Sequence, residues 1–368
     1  KTLYHDTYLS GCNELQQPLF FSSDYNSGPL PRVLGALPRF YSGNAASYGE
    51  GPYTADAVEV MKRTFGPSAR PWFVFLGTAA NVLGLKTMLR SHHAILCSRD
   101  AHINCDECGA PEAITGSKLV PLPSHHGKVL PEDCVNVLKM REAVHHNYPK
   151  VLSITQSTEC GTVYSLEELK DIRDFCNRHD LYLHMDGARL CNAAAALGLS
   201  LREISTDVGV DVLSFGGTKN GLMFGEVIVF LNDDLGHAFS YVRKQHMQLV
   251  SKMRFMAVQF LEYLKDGLWL ENARAANAMT ALLAGELSSM EHVQIIHPVE
   301  VNAIFARLHK NAIAKLRERF YFYVHDAFDE EGKPHDCQVV RLMTSFNTSE
   351  DEVHMFADAI RECRNIGR

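Results

Sequence analysis

GGTKNG (216–221) places one lysine in a glycine-rich turn between two apolar runs, DVLSF (211–215) and EVIVFL (226–231). Both runs have the length and β-branched content of buried strands, so Lys219 stands at the rim of a sheet. Three other chemically competent residues follow apolar runs in the same way. HMDGARL (184–190) puts Asp186 at the end of one, and AHINCDE (101–107) puts His102 after another. LGTAAN (76–81) follows a third and opens a helical segment, so its free N–H groups and dipole suit a phosphate.

Each feature alone has a plain structural role: a hairpin lysine in solvent, an aspartate capping the turn before Gly187, an ordinary helix start. Together they form one inventory. A lysine, a carboxylate, a phosphate seat at the LGTAAN helix start, and an imidazole are what pyridoxal 5′-phosphate requires. The lysine condenses with its aldehyde and the carboxylate pairs with its pyridinium nitrogen. Competing cofactor and hydrolase motifs are absent: no G-x-x-x-x-G-K-[ST], no G-x-G-x-x-G after the first strand, no G-x-S-x-G and no H-E-x-x-H.

The elements that must position these residues read as an alternation. PWFVFL (71–76), AILCS (94–98), KLVPL (118–122), KVLSIT (150–155), LYLHMD (181–186), DVLSF and EVIVFL are seven strands. Helical periodicity falls between them at 80–91 and 166–179, the second opened by a capping box, Ser165-x-x-Glu168. Strands alternating with helices predict an α/β fold with a mostly parallel sheet. The link between the last two strands is too short for a crossover and predicts an antiparallel hairpin. Beyond 232 the spacing predicts two long helices, 233–264 and 268–290. Strands follow near 293–307, 320–325 and 338–346, with a closing helix after a second capping box, Ser349-x-x-Glu352. This divides the chain into a large domain, 20–265, and a small α+β domain, 266–368, with residues 1–19 given no role.

Composition narrows the class. The chain of 368 residues is 46% hydrophobic and 21% charged, with a net charge of −7. No Lys/Arg tract offers a nucleic-acid or membrane-surface footprint, and no run is long enough to span a bilayer. The ten scattered cysteines suit a reducing cytoplasm. His102-x-x-Cys105-x-x-Cys108 has zinc-like spacing but no second pair, so no metal is expected.

HMDGAR with a downstream lysine, SSDYNSG (22–28) and YGEGPYT (48–54) resemble the threonine aldolases of fold type I, within the β-eliminating lyase group. GTAAN, AHINCDECGAPE and SFGGTKNG are similar to the bacterial low-specificity branch. The resemblance implies a lyase that cleaves L-threonine or L-allo-threonine to glycine and acetaldehyde. It implies Lys219 as the Schiff-base residue, Asp186 at the pyridinium, Gly77 and Thr78 at the phosphate, and His102 stacked on the ring. Thr218 stands in place of the usual serine beside the cofactor. Ser23, Arg189 and Arg341 would bind the substrate carboxylate, with Arg189 also near the cofactor. Tyr48, Glu107 and His145 would lie near the substrate side chain. Lys252 and Arg254 would reach a partner's phosphate across a homodimer or homotetramer interface. The family's Glu-Asn-Thr-His stretch is QSTECG (156–161) here, a departure around Thr158. His145, just before the KVLSIT strand, is expected at the pocket rim as the base for the β-hydroxyl, with His102, Tyr48 or water as alternatives. Another type I enzyme (a β-eliminating lyase, a transaminase, or one like serine hydroxymethyltransferase) and a non-catalytic binding protein are the competing readings.

Overall fold

The computed structural model describes residues 18–41, 43–328 and 334–366. Seven strands form the central sheet: β1 (Arg70–Val74), β2 (His93–Ser98), β3 (Lys118–Leu122), β4 (Tyr148–Thr155), β5 (Tyr182–Gly187), β6 (Val212–Gly216) and β7 (Glu226–Phe230). Their order is β1-β7-β6-β5-β4-β2-β3. β7 runs antiparallel to both neighbours, and every other pair is parallel. The expected hairpin is therefore β6–β7.

Both faces of this sheet are covered, which explains its nearly unbroken apolar strands. Alternate residues go to opposite layers. Leu213, Phe215, Val227 and Val229 pack in one core with Met61 and Phe65 of a helix at Pro52–Phe65. Val212, Ile228 and Phe230 face the other core, with Val82, Leu83 and Leu85 of helix α1 (Gly77–Met88). The Ser165 capping box forms as predicted: Ser165 N–H donates to Glu168 at 2.6 Å and Glu168 N–H donates back to Ser165 Oγ at 3.1 Å.

A four-stranded antiparallel sheet forms the second unit, in the order β10-β11-β9-β8: β8 (Gln294–Ile295), β9 (Ala303–His309), β10 (Tyr323–Phe328) and β11 (Pro334–Met343). Helices Leu268–Ser288 and Glu350–Glu362 cover it, burying Leu283, Leu287, Phe356 and Ile360 against Ile304, Leu308 and Val340.

Three sequence expectations change. The helix expected over 233–264 is two helices, Phe239–Gln245 and Arg254–Tyr263; Met247 takes a left-handed φ of 61° between them. The strand expected at 293–307 is broken into β8 and β9. The segment expected to open the large domain also packs on the second unit. Leu19–Phe20 pairs in parallel with Phe320–Tyr321, and Phe21 joins the second core. Residues 1–17 lie outside the described residues. Among those described, nine cysteines are all free, and no helix is long and apolar enough to cross a membrane.

Backbone approaches backbone at one point that matters for the site. A Cβ added at Gly216 would lie 2.6 Å from the Ala188 carbonyl oxygen and 2.8 Å from Ala188 Cα. Only glycine lets the turn carrying Lys219 sit against the turn that follows Asp186. Gly216→Ala should cost about 1–3 kcal/mol, the usual range for overpacking, read as a lower urea midpoint at unchanged slope. An unshifted midpoint would show that the two turns separate freely.

Candidate active site

Parallel strands deliver their following residues to one edge of a sheet. β1 leads into Gly77, β2 into His102, β4 into the loop 156–163, β5 into Arg189 and β6 into Lys219. A cavity of about 320 Å³ opens along this edge. Gly77, Thr78, His102, Asp186, Arg189 and Lys219 line it, so six residues singled out from sequence share one wall system.

Lys219 is partly exposed, and it is the cavity that it faces. Its Nζ sits 5.2 Å from the centre of the Tyr25 ring and forms no salt bridge among the described residues. Burial, and then the Arg189 charge, lower its pKa. A lysine in that state keeps a larger share of nucleophilic amine. Its turn is braced by Glu226, whose Oε2 accepts the Gly217 N–H at 3.1 Å. Burial pushes the Glu226 carboxyl up to about 7. Thr218 Oγ1 donates to the Gly225 carbonyl at 3.4 Å.

Asp186 is fixed at both oxygens. Oδ2 accepts from Asn81 Nδ2 at 2.7 Å and Oδ1 from the Ala188 N–H at 2.9 Å. Beneath it, His184 bonds Ser153 and Ser214, and burial takes its pKa down to about 4, so it stays neutral. His102 is gripped at the ring and at the main chain. Its Nδ1 meets Glu107 Oε1 at 2.9 Å, and its N–H donates to Glu159 Oε1 at 2.7 Å. The Glu107 bond raises the His102 pKa against the opposing effect of burial.

At the second unit, Arg189 is bound bidentately by Asp24, at 2.7 and 3.0 Å. Burial alone would push Asp24 up; Arg189, Lys219 and Asn302 outweigh it and hold the carboxyl below its ordinary value. Arg341 donates through Nη2 to the Ser22 carbonyl at 3.2 Å, while its buried Nε has no partner among the described residues. Burial and then the Arg189 charge lower its pKa. Ser23 caps a short helix by accepting the Tyr25 N–H at 3.2 Å.

Two expectations fail here. His145 precedes β4, and in a parallel sheet the residue before a strand lies at the opposite edge from the residue after it. The eight residues of β4 put it roughly 25 Å from the cavity, at about 3.3 Å per residue. Glu107 does not face a substrate either: its side chain has no exposure, and it bonds His102 and Asn81 from behind. Tyr48, Lys252 and Arg254 lie outside the cavity wall of their own chain but come together on one surface. Tyr48 N–H donates to the Ser251 carbonyl at 2.9 Å, and Arg254 donates to the Gly43 carbonyl at 3.3 Å.

Sequence reasoning missed Asn81, Glu226, Asp24, Tyr25 and Glu159 as site residues. Glu226 carried a signal, a charged residue opening an otherwise apolar strand. The others stood inside quoted motifs without a pattern to mark them.

The residues present fit pyridoxal 5′-phosphate. A helix start of twelve residues, a lysine free of ion pairs and a fixed carboxylate surround one space. Ser157 Oγ, on the same wall, is buried without a partner among the described residues. Fold and site thus define an α/β enzyme of the type I pyridoxal-phosphate class. A model of the beta-eliminating lyase family matches residues 21–311, and the chain belongs to that family. Within it, the chain is similar to a low-specificity L-threonine aldolase of Pseudomonas aeruginosa, 41% identical over 93% of this chain and 96% of that one. A low-specificity L-threonine aldolase of a Pseudomonas species is 39% identical over 93% and 96%. The solved threonine aldolase of Leishmania major superposes with a TM-score of 0.88 at 32% identity, covering 94% of this chain and all of that one.

The His102–Glu107 pair makes a titration prediction. Glu107→Gln should bring the His102 pKa back toward the ordinary value of about 6.5, followed by NMR of the ring protons. A raised histidine pKa stabilises the fold below the unfolded value, and that gain is lost as pH rises through the folded value. The variant should therefore lose stability at pH 5 and little at pH 8. Identical His102 titrations in both proteins would refute the coupling.

Proposed function

We propose that this chain is a pyridoxal-phosphate-dependent aldolase that cleaves L-threonine and L-allo-threonine to glycine and acetaldehyde. The observation that carries this reading is that Lys219, Asp186 and Arg189 face one cavity. The named relatives support the substrate class. Gly77 and Thr78 would take the phosphate at the start of α1, Lys219 would hold the aldehyde carbon, and Asp186 would meet the pyridine nitrogen. Once bound, the cofactor supplies an electron sink for the bond broken at the substrate α-carbon.

The chain's own residues do the positioning. Arg341, with an unpartnered Nε, and the remaining face of Arg189 hold the substrate carboxylate. Asp24 keeps Arg189 from swinging, so the carboxylate is gripped at a fixed angle and the Cα–Cβ bond is aligned for cleavage. His102, locked by Glu107, covers one face of the ring. The sheet unit ending near residue 265 carries the cofactor. The unit from 266 onward, with Leu19–Phe20, encloses the substrate. A homodimer would place the Tyr48, Lys252 and Arg254 surface against the partner's phosphate seat; the exposed Tyr241 and Met247 nearby, 79% and 86% accessible, favour a covered face.

Purified protein given L-threonine should release glycine and acetaldehyde in equal amounts without added folate or amino acceptor. Lys219→Ala should lose both that activity and the visible absorbance of bound cofactor. Ammonia and a keto acid as products would instead identify a β-eliminating lyase. Mixing Lys219→Ala with Arg254→Ala and reassembling them should restore activity to the hybrids. Verified hybrids without turnover would exclude a site shared in this way.

A further inference from the structure

With His145 at the far edge, the cavity needs another group to handle the substrate β-hydroxyl. We infer that Glu159 is this acid–base residue, accepting the β-hydroxyl proton at Oε2. The inference rests on the aldolase reading above, and it concerns a residue that lies where the family's Glu-Asn-Thr-His stretch departs to QSTECG.

Geometry selects it by the state of the other titratable groups on the wall, of which Asp106 is a solvent-exposed carboxylate at the rim. Asp186 carries a donor at each oxygen and is committed to the pyridine nitrogen. Glu226 is tied to the lysine turn through Gly217. His102 has Nδ1 on Glu107, which favours the imidazolium, and an imidazolium only donates. Tyr25 is raised well above its ordinary pKa by burial and stays a phenol. Lys219 is committed to the cofactor. Glu159 is different. Its Oε1 accepts the His102 N–H at 2.7 Å and the Thr155 hydroxyl at 2.8 Å, which fixes the side chain. Its Oε2 is buried and has no hydrogen-bond partner among the described residues. A preorganised carboxyl with one free oxygen is what a general base requires.

Its surroundings tune it to neutral pH. Burial, and then Asp186 on β5, push the carboxyl up to about 7, against the donors from His102 and Thr155. Arg189 is the cation that faces it from beyond β5. Tyr164 and the thiols Cys97, Cys105 and Cys160 also interact with it, and burial raises the pKa of all four.

The step balances with no added reactant. The β-hydroxyl proton passes to Oε2, the O–H electron pair becomes the carbonyl of acetaldehyde, and the Cα–Cβ pair stays on the α-carbon. Glu159 then gives its proton to solvent, and the α-carbon takes one from solvent to form glycine.

Glu159→Gln keeps an acceptor for His102 and Thr155 but cannot take a proton. It should cleave L-threonine roughly 100-fold or more slowly, the ordinary weight of a general base. Exchange of the glycine α-hydrogen in deuterated water, which needs no β-hydroxyl, should fall less than threefold. The wild-type acidic limb in kcat/KM, rising toward pH 7, should vanish in the variant, while Glu159→Asp should keep a shifted limb. Cofactor-free protein gives an independent readout. A carboxyl whose folded pKa lies above its unfolded value loses stability as pH rises between the two. Glu159→Gln should therefore melt above wild type at pH 8, with the gap closing at pH 5. Cleavage within threefold of wild type would overturn the inference. So would equal losses of exchange, cofactor binding and cleavage, which would mark a structural glutamate. If wild-type protein exchanges glycine but never cleaves threonine, the aldolase reading itself fails, and this assignment falls with it for a different, visible reason.

Discussion

A parallel sheet has two unlike edges, and everything chemical in this protein follows from that polarity. Residues that follow β1, β2, β4, β5 and β6 emerge at the same edge because those strands point the same way. The one reversed strand, β7, begins at that edge with Glu226 instead of ending there. Six chain segments far apart in sequence are thereby brought to one cavity. The polarity also removes His145, which stands on the wrong side of its own strand.

Convergence alone would produce a cluster of mutually hostile buried charges. The site manages this by assigning partners unevenly. Asp24 neutralises Arg189 in a two-bond fork, an arrangement that offsets desolvation better than a single contact. Asp186 is satisfied by dipoles from Asn81 and Ala188 and not by a cation. It stays available for a positively charged ring nitrogen. Lys219 and Arg341 are left short of partners, as is Glu159 at Oε2. Such incompletely satisfied groups cost stability in the empty protein, and they are the groups a ligand would complete.

The second unit contributes through one contact system. Leu19–Phe20 joins it, the chain continues through Ser22 and Asp24, and those residues meet Arg341 and Arg189. Asn302 and Thr344, from β9 and β11's flanks, tie the same aspartate into the small sheet. The N-terminal segment thus acts as a strap between the units.

Sequence by itself determined the seven strands, their mostly parallel pairing, the β6–β7 hairpin, both capping boxes and the grouping of Lys219, Asp186, His102 and Gly77. These follow from local patterns: apolar runs, glycine turns and link lengths act over a few residues and survive in one dimension. The break near Met247, the placement of Phe21 in the second core and the buried position of Glu107 were decided by tertiary structure. So was the meeting of Asp24 with Arg189 and of Glu159 with His102. Those outcomes depend on which distant groups share a desolvated space, and a partner's distance along the chain says nothing about its distance in the fold. His145 shows the difference most plainly: its type suited the chemistry, and only the direction of its strand ruled it out.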